Sequence, residues 1–197
     1  MIKRLFDFVA SGAGLLVLSP LLILLALLIK VDSRGPVFFR QERVGQFGKP
    51  FRIHKFRTMC IDAEARGMQI TVGADPRVTK VGRVLRKYKL DELPQLLDVF
   101  VGDMSLVGPR PEVPRYVEYY PPEAKELVLS VKPGITDRAS IEFKDENEIL
   151  GRAADPHRAY VEEVLPIKLG YYTEYVRNRS MAGDIGIILS TLVAIVR

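Results

Sequence analysis

A long uncharged segment dominates the hydrophobic pattern at the start of the chain. The 22 residues from Phe8 to Ile29 carry no charge, and they are flanked by Lys3, Arg4, Asp7 and Lys30. A helix of that length can cross the hydrocarbon core of a bilayer. A cleaved signal peptide is disfavoured because the apolar run is too long and no Ala-x-Ala site follows it. The pattern therefore predicts a membrane helix over residues 1–30.

Two features of this segment argue against a straight span. Pro20 lies near the middle, where it removes a helical hydrogen bond and favours a kink, and the Ser19 hydroxyl could bond a backbone group freed there. Basic residues occur at both ends, and positive charge favours retention on the cytoplasmic side. A re-entrant helix that bends at Ser19-Pro20 satisfies both features. A signal-anchor helix that tolerates the proline stays open on the residues alone.

The remaining pattern predicts an α/β fold that is mostly helical. Two strand-like segments, residues 37–43 and 51–57, flank turn-forming glycine and proline and predict a β-hairpin. Residues 105–107 read as a further short strand, and residues 137–155 are polar and irregular, as in a long loop. Helical patterns cover residues 78–87, 92–101, 112–120, 122–130 and 157–177.

A second apolar run, Ile185 to Val196, closes the sequence. Its 12 residues are too few to span a bilayer, and Asp184 is placed to act as an N-cap. Such a helix can lie in the membrane interface or pack in the core, and both placements stay open.

Composition limits the chemistry of the chain. Its 197 residues carry a formal net charge of +5, which favours nucleic acid, a phosphorylated substrate or anionic lipid as partner. Eight Lys and Arg lie between residues 30 and 57, as on a surface that binds anionic headgroups or on a solvated face. The lone Cys60 excludes an intramolecular disulfide, and two histidines weigh against a His-rich metal site or a Ser-His-Asp triad. The sequence lacks both the Gly-x-x-x-x-Gly-Lys-Ser/Thr loop and a Gly-x-Gly-x-x-Gly motif after a strand, which bind phosphate groups. It also has no Asp-x-Asp pair.

The adjacent acids Asp91 and Glu92 are the strongest candidates for chemistry. They follow a stretch, residues 77–89, that holds six Lys or Arg and no acid, and Pro94 comes three residues after Asp91. This arrangement predicts a helix start with Asp91 as N-cap, where the positive helix end favours an ionised carboxylate. An ionised aspartate can attack phosphorus, although an Asp-Glu pair at a helix start more often serves only as a cap. Catalysis gains support if the fold gathers the cations Lys55, Arg57, Arg83, Arg86 and Arg110.

Short motifs occur in a fixed order along nearly the whole chain. They are Lys3-Arg4 with Asp7, Ser19-Pro20, Gly35-Pro36, Phe39-Arg40-Gln41, Lys55-Phe56-Arg57-Thr58-Met59, residues 90–96, residues 104–111 and Lys132-Pro133-Gly134-Ile135-Thr136. With them the chain resembles the bacterial sugar transferases called monotopic phosphoglycosyl transferases, of the small single-domain type.

The resemblance implies transfer of a sugar-1-phosphate from a UDP-sugar to a polyprenyl phosphate such as undecaprenyl phosphate, with release of UMP, as the first membrane step of a surface glycan pathway. It implies that Asp91 is the nucleophile of a covalent phosphosugar intermediate and a ligand of an assisting Mg²⁺. Glu92 is the partner carboxylate, for proton handling or acceptor activation. The substrate-binding cations are Lys55, Arg57, Arg86 and Arg110.

The resemblance also implies a place at the cytoplasmic face of the bacterial inner membrane. Ser19-Pro20 matches the break in a re-entrant helix, which decides between the two membrane placements, and residues 31–197 become the catalytic domain. Asp184 matches a C-terminal acid whose role could be structural. The implied partners are the UDP-sugar, the polyprenyl phosphate and anionic lipids; a homodimer is allowed and nucleic acid is not expected.

Several alternatives stay open. The lipid phosphate could attack the UDP-sugar directly while Asp91 only holds metal, or the basic residues could make the chain a non-enzymatic membrane adaptor. A nucleic-acid-binding module fits less well, since no recognised motif interleaves aromatic and basic residues. Many relatives continue the Pro-Gly-Ile-Thr motif with glycine where this chain has Asp137. The sugar, the polyprenol, the pathway and the oligomeric state are therefore not predicted.

Overall fold

The computed structural model describes residues 2–61, 63, 75–143 and 146–196. Its strands are β1 (Phe38–Val44), β2 (Pro50–Phe56), β3 (Ser105–Val107) and β4 (Gly134–Thr136). Its helices are α1 (Ile2–Asp32), α2 (Lys80–Lys87), α3 (Gln95–Val101), α4 (Pro114–Val117), α5 (Pro122–Leu129), α6 (Arg138–Glu142), α7 (Glu146–Gly151), α8 (Pro156–Ala159), α9 (Leu165–Asn178) and α10 (Met181–Val196). The fold is mostly helical, as predicted.

The predicted hairpin is confirmed. Strands β1 and β2 pair antiparallel with Phe38 opposite Phe56 and Val44 opposite Pro50. A 3₁₀ turn, Gln46–Gly48, joins them, and Phe47 at its centre has a positive φ of 58°. The hairpin forms a separate two-stranded sheet, so the outer edge of β2 is left to bond other elements.

A second, parallel pair joins β3 to β4, and the sequence pattern did not predict β4. The two strands approach so closely that a Cβ built on Gly134 would lie 2.1 Å from the Gly108 nitrogen. Only glycine fits there, since such a contact would force the backbone apart. Parallel pairing of so few residues leaves little periodicity to detect in a sequence.

The prediction of a long loop over residues 137–155 is wrong. Helix α6 begins at an Asp137 N-cap whose carboxylate accepts from the Ser140 N–H at 2.9 Å, and α7 follows within the same stretch. The polar residues that suggested a loop are in part capping residues, which helices favour at their first turns. Helix α4 is also shorter than the pattern over residues 112–120 indicated.

Helix α1 lies along the rest of the protein on one face. Phe8 stacks on Phe100 of α3 with ring centroids 4.6 Å apart, and Leu25 and Ile29 pack in a cluster with Phe56 and Leu85. The opposite face is apolar and exposed, with Leu16 76% and Val17 75% accessible. Among the described residues, α1 is the one helix long and apolar enough to cross a membrane.

Polar residues at both ends of α1 bond the remainder of the chain. Lys3 pairs with Asp184 of α10 at 2.5 Å, and the Asp7 carboxylate accepts from the Ser105 hydroxyl at 2.9 Å. At the other end, Asp32 accepts from the Val81 N–H of α2 at 3.1 Å. Both ends of this helix are therefore held by the same body of protein.

The predicted role of Ser19 at the proline is confirmed, but the kink is not. Pro20 has no N–H to offer the Leu16 carbonyl one turn earlier, and the Ser19 hydroxyl donates to that carbonyl at 2.8 Å. The helix is assigned as continuous through Pro20. The break at Ser19-Pro20 stays a prediction.

Helix α10 begins at Met181, earlier than the apolar run indicated, and Asp184 is not its N-cap. The Ser180 hydroxyl accepts from the Gly183 N–H and provides the cap. Asp184 is instead buried, where it binds Lys3 and accepts from the Tyr175 hydroxyl at 2.9 Å. One side of α10 contacts the β3–β4 pair and α6, while Leu189 and other apolar residues face outward.

The largest core cluster lies among α4–α7, α9 and the π-helical turn Tyr160–Val164 that precedes α9. Tyr172 and Leu165 are about 1% exposed at its centre. A smaller cluster of Ile53, Val99 and Met104 packs β2 against α3. This second cluster matters for the site, because it joins β2, which carries Lys55, to α3, which follows Asp91 and Glu92 in the chain.

Candidate active site

The acid pair occupies a 3₁₀ turn, Leu90–Glu92, between α2 and α3. Lys89 ends the approach from α2 in a left-handed conformation with φ of 54°, which redirects the chain. Helix α3 begins after Pro94, so the prediction that Asp91 is its N-cap is wrong. The fixed φ of Pro94 suits the start of a helix. The two acids therefore lie in the turn that precedes α3.

Glu92 is held by two cations. Its Oε1 accepts from the Lys55 Nζ at 2.9 Å and also from Arg110, whose other terminal nitrogen donates to Oε2 at 3.1 Å. The Glu92 side chain is 15% exposed, so these bonds form largely out of water. A guanidinium that binds both oxygens of a carboxylate fixes its orientation as well as its charge.

Asp91 is the free acid of the pair. It is 9% exposed, and no hydrogen bond or ion pair reaches its carboxylate from the residues that the structure describes. Its charged neighbours are Glu92, Lys55, Arg86 and Lys89. The Asp91 carboxylate is therefore available for attack on a bound electrophile.

The two acids differ in their tendency to ionise. Burial, and then the charge of Glu92, raise the pKa of Asp91, against the attraction of Lys55, Arg86 and Lys89. Burial also opposes ionisation of Glu92, but Arg110 and Lys55 overcome it and hold the pKa of Glu92 well below its usual range. Glu92 is therefore the acid of the pair that ionises more readily, and Asp91 is the one that ionises less readily.

Close packing of α2 on the segment after β2 brings Arg86 to the site. A Cβ on Gly82 would lie 2.1 Å from the Thr58 carbonyl oxygen, so only glycine permits this approach. Arg86, one turn further along α2, donates through Nε to the Thr58 hydroxyl at 2.8 Å. Its guanidinium therefore projects from a rigid contact.

Arg110 projects from a loop that backbone bonds fix on both sides. The Gly134 N–H donates to the Pro109 carbonyl at 2.9 Å, and Arg43 donates to the Pro111 carbonyl at 3.0 Å. The prolines on either side of Arg110 restrict its backbone further. Arg110 is therefore presented to Glu92 from a stiff loop.

The structure brings together Asp91, Glu92, Lys55, Arg86 and Arg110, but it places the other predicted residues elsewhere. Arg57 is 5% exposed and donates to the carbonyls of Ser33, Arg34 and Pro36, which anchors the loop after α1. Arg83 lies on the exposed side of α2. Ser19 and Pro20 are within α1, and Asp184 joins α1 to α10.

Sequence reasoning missed two contributors. The positive charge of Lys89 acts on Asp91, and its place two residues before Asp91 was the available signal. Asp98 binds His54, the residue before Lys55, and no local pattern pairs positions 44 residues apart. Contacts of that kind follow from the packing of α3 on β2, which only the fold supplies.

The described residues do not gather three or more His, Cys, Asp or Glu into a cage for a metal ion. Both oxygens of Glu92 are bound by cations, which leaves Asp91 as the available carboxylate. Mg²⁺ commonly binds one or two carboxylates together with substrate phosphates and water. The donor set therefore fits an ion shared with a bound diphosphate.

Comparison with known proteins identifies the family of the chain. The model of the bacterial sugar transferase family matches residues 1–197. A UDP-N-acetylgalactosamine-undecaprenyl-phosphate N-acetylgalactosaminephosphotransferase of Aeromonas hydrophila is 39% identical over 193 residues, which cover 97% of this chain and 43% of that protein. A UDP-glucose:undecaprenyl-phosphate glucose-1-phosphate transferase of Escherichia coli K12 is 38% identical over 195 residues, or 98% of this chain and 39% of that protein.

The exopolysaccharide production protein ExoY of Rhizobium meliloti is 36% identical over 210 residues, covering 99% of this chain and 85% of its own length. This chain thus spans about two fifths of the first two relatives and most of the third. The match over all 197 residues confirms the resemblance at the level of the family. The chain belongs to the bacterial sugar transferase family.

Proposed function

We propose that this protein transfers a sugar-1-phosphate from a UDP-sugar to a polyprenyl phosphate through a covalent intermediate on Asp91. The observation that carries the proposal is a buried Asp91, whose carboxylate no described residue binds, beside a Glu92 that two cations hold as an anion. The names of the relatives supply the substrate class, UDP-sugars and undecaprenyl phosphate. They specify different sugars, so the sugar itself is not assigned.

In the first step, an oxygen of Asp91 attacks the phosphorus that bears the sugar. The bond from that phosphorus to the bridging oxygen breaks, UMP leaves with the bond's electrons, and an acyl phosphate joins Asp91 to the sugar phosphate. Lys55, Arg86 and Lys89 lower the repulsion between the carboxylate and the diphosphate.

In the second step, an oxygen of the polyprenyl phosphate attacks the same phosphorus. The acyl oxygen–phosphorus bond breaks, which releases the polyprenyl diphosphate sugar and restores the Asp91 carboxylate. A phosphate dianion needs no base for this attack. The bonds of Glu92 therefore favour a role in holding Lys55 and Arg110 over the predicted role in proton handling.

Mg²⁺ is part of the proposal. Asp91 is the protein carboxylate available to bind it, together with oxygens of the diphosphate, and when bound the ion neutralises phosphate charge. Arg110 and Lys55 are already engaged by Glu92, and they stay near the phosphates as additional positive charge.

We also propose that α1 enters and leaves the membrane at its cytoplasmic face. Lys3, Asp7 and Asp32 bond residues of one protein body, and a straight span would place Lys3 and Asp32 roughly 44 Å apart, on opposite sides of the membrane. The outward apolar residues of α1 and α10 then face lipid. Anionic lipids and a second copy of the chain stay predicted partners.

The test is a single turnover with radiolabelled UDP-sugar and no lipid acceptor. We expect release of UMP and protein that carries labelled phosphosugar, both abolished in Asp91→Asn. Glu42→Gln is the matched control, because Glu42 is an exposed acid on β1 outside the site. UMP release that requires polyprenyl phosphate would favour direct attack in a ternary complex. Full biological function in Asp91→Asn would favour the adaptor.

A further inference from the structure

We propose that Asp98 is a positioning residue that acts through His54 to hold Lys55 against Glu92 and Asp91. The inference rests on the proposed function, because Lys55 matters only if the acid pair performs phosphoryl transfer. Neither the motifs nor the relatives assign a role to Asp98 or to His54.

Asp98 binds His54 through both carboxylate oxygens. Oδ2 accepts from the His54 backbone N–H at 2.8 Å, and Oδ1 lies 2.6 Å from the ring Nδ1. Asp98 is 1% exposed, so water does not compete for these bonds. Its own carbonyl accepts from the N–H groups of Gly102, Asp103 and Met104, which fixes the residue at the end of α3.

His54, the residue that Asp98 binds, directly precedes Lys55 in the chain. The His54 N–H lies on the edge of β2 that no strand covers, and Asp98 fills that edge. Lys55 then reaches Glu92 at 2.9 Å, on the segment that leads into α3. Strand β2 is therefore attached to this one segment at two successive residues, His54 and Lys55.

A lysine needs such support more than an arginine does. Its long stem has several freely rotating bonds and a single charged nitrogen, so backbone position largely decides where the charge lies. Residues that hold a reacting side chain commonly need support from a second layer of hydrogen bonds. Asp98 supplies that layer for Lys55.

The alternative is that Asp98 only stabilises the fold. The packing of Ile53 against Val99 and Met104 joins β2 to α3 independently of Asp98, so loss of the bonds to His54 leaves the two elements in contact. Asp98→Asn keeps an oxygen that can accept from the His54 N–H and should leave Lys55 in place, whereas Asp98→Leu removes both acceptors at a similar side-chain volume. Asp98→Leu should therefore fold while Lys55 loses its fixed position.

The consequence appears in the rate of the first step. Lys55 is one of three cations, with Arg86 and Lys89, whose charge acts on Asp91. If Lys55 moves away, less positive charge offsets the repulsion between the Asp91 carboxylate and the diphosphate, so UMP release slows.

The experiment measures UMP release in single turnover over a range of UDP-sugar concentrations, with the full chain in lipid nanodiscs. For Asp98→Leu we expect about a tenfold slower release at saturating UDP-sugar, little change in the concentration that gives half the maximal rate, and near wild-type rates for Asp98→Asn. In a Lys55→Met background, Asp98→Leu should cause no further loss. His54→Gln should keep most activity, since its amide can donate to Asp98.

Asp103→Asn is the control, an exposed acid two residues past the end of the same helix. Wild-type rates in Asp98→Leu would overturn the inference. A loss of rate in Asp98→Leu that is equally large in the Lys55→Met background, together with a lower melting temperature, would show a structural role instead. Absence of UMP release from the wild-type protein would refute the proposed function itself, and the two failures are therefore distinguishable.

Discussion

At the scale of single residues, the identity of the acid pair was predictable and its division of labour was not. The basic stretch before Asp91 and the motif around it mark the pair in the sequence. Which acid is free depends on Lys55 and Arg110, which lie 37 and 18 residues from Glu92 along the chain. Burial, which raises the pKa of Asp91, is likewise a property of the packed structure.

Glu92→Gln tests this division of labour. Glu92 is the second cause of the raised pKa of Asp91, after burial, so removing its charge lowers that pKa. An acid reacts only when ionised, so activity disappears as pH falls through the pKa, and the acid limb of UMP release should move to lower pH. The Gln side-chain oxygen can still accept from Lys55, which keeps that cation near Asp91, but the two-oxygen contact with Arg110 is lost, so the rate at neutral pH should fall about tenfold. An acid limb that stays in place, or moves up, would contradict the electrostatic assignment.

At the scale of elements, periodic segments were predicted well and short ones were not. Helices α2, α5 and α9 and the hairpin follow from hydrophobic spacing and turn residues. Strand β4 and helices α6 and α7 depend on the pairing of β3 with β4 and on caps such as Asp137. Elements of three to six residues take their stability from these contacts, which have no period in the sequence.

Arg57 is a motif residue whose contacts in the structure differ from the role that the resemblance implies. The resemblance assigns it to substrate, whereas the structure uses all three of its donor nitrogens on the loop between α1 and β1. We expect Arg57→Lys to lose about 2 kcal/mol of stability, measured as a lower melting temperature in detergent, because one ammonium cannot bind three separated carbonyls. Arg52→Lys, an exposed change on β2, should have no effect. Unchanged melting with a raised KM for UDP-sugar would restore the substrate assignment.

At the scale of the whole molecule, the position of α1 connects the membrane to the site. Asp7 binds Ser105 and the Leu106 N–H at the start of β3, and β3 leads to the loop that carries Arg110. Asp184 completes the attachment by joining Lys3 to Tyr175, whose hydroxyl also donates to the Val107 carbonyl at 3.0 Å. The open question about Asp184 thus receives a structural answer, and the amphipathic pattern alone could not have provided it.

The membrane placement can be tested by cysteine labelling in a Cys60→Ser background. Ile2→Cys and Val31→Cys place exposed thiols at the two ends of α1, and Leu16→Cys places one on its outward apolar face. Since bonds from Lys3, Asp7 and Asp32 hold both ends on one body, an impermeant maleimide should label both end positions in inside-out vesicles and neither in right-side-out vesicles. Leu16→Cys should be protected in both, because lipid covers it. Labelling of the two ends in opposite vesicle types would mean that α1 crosses the bilayer, and labelling of Leu16→Cys together with both ends would mean that it never enters.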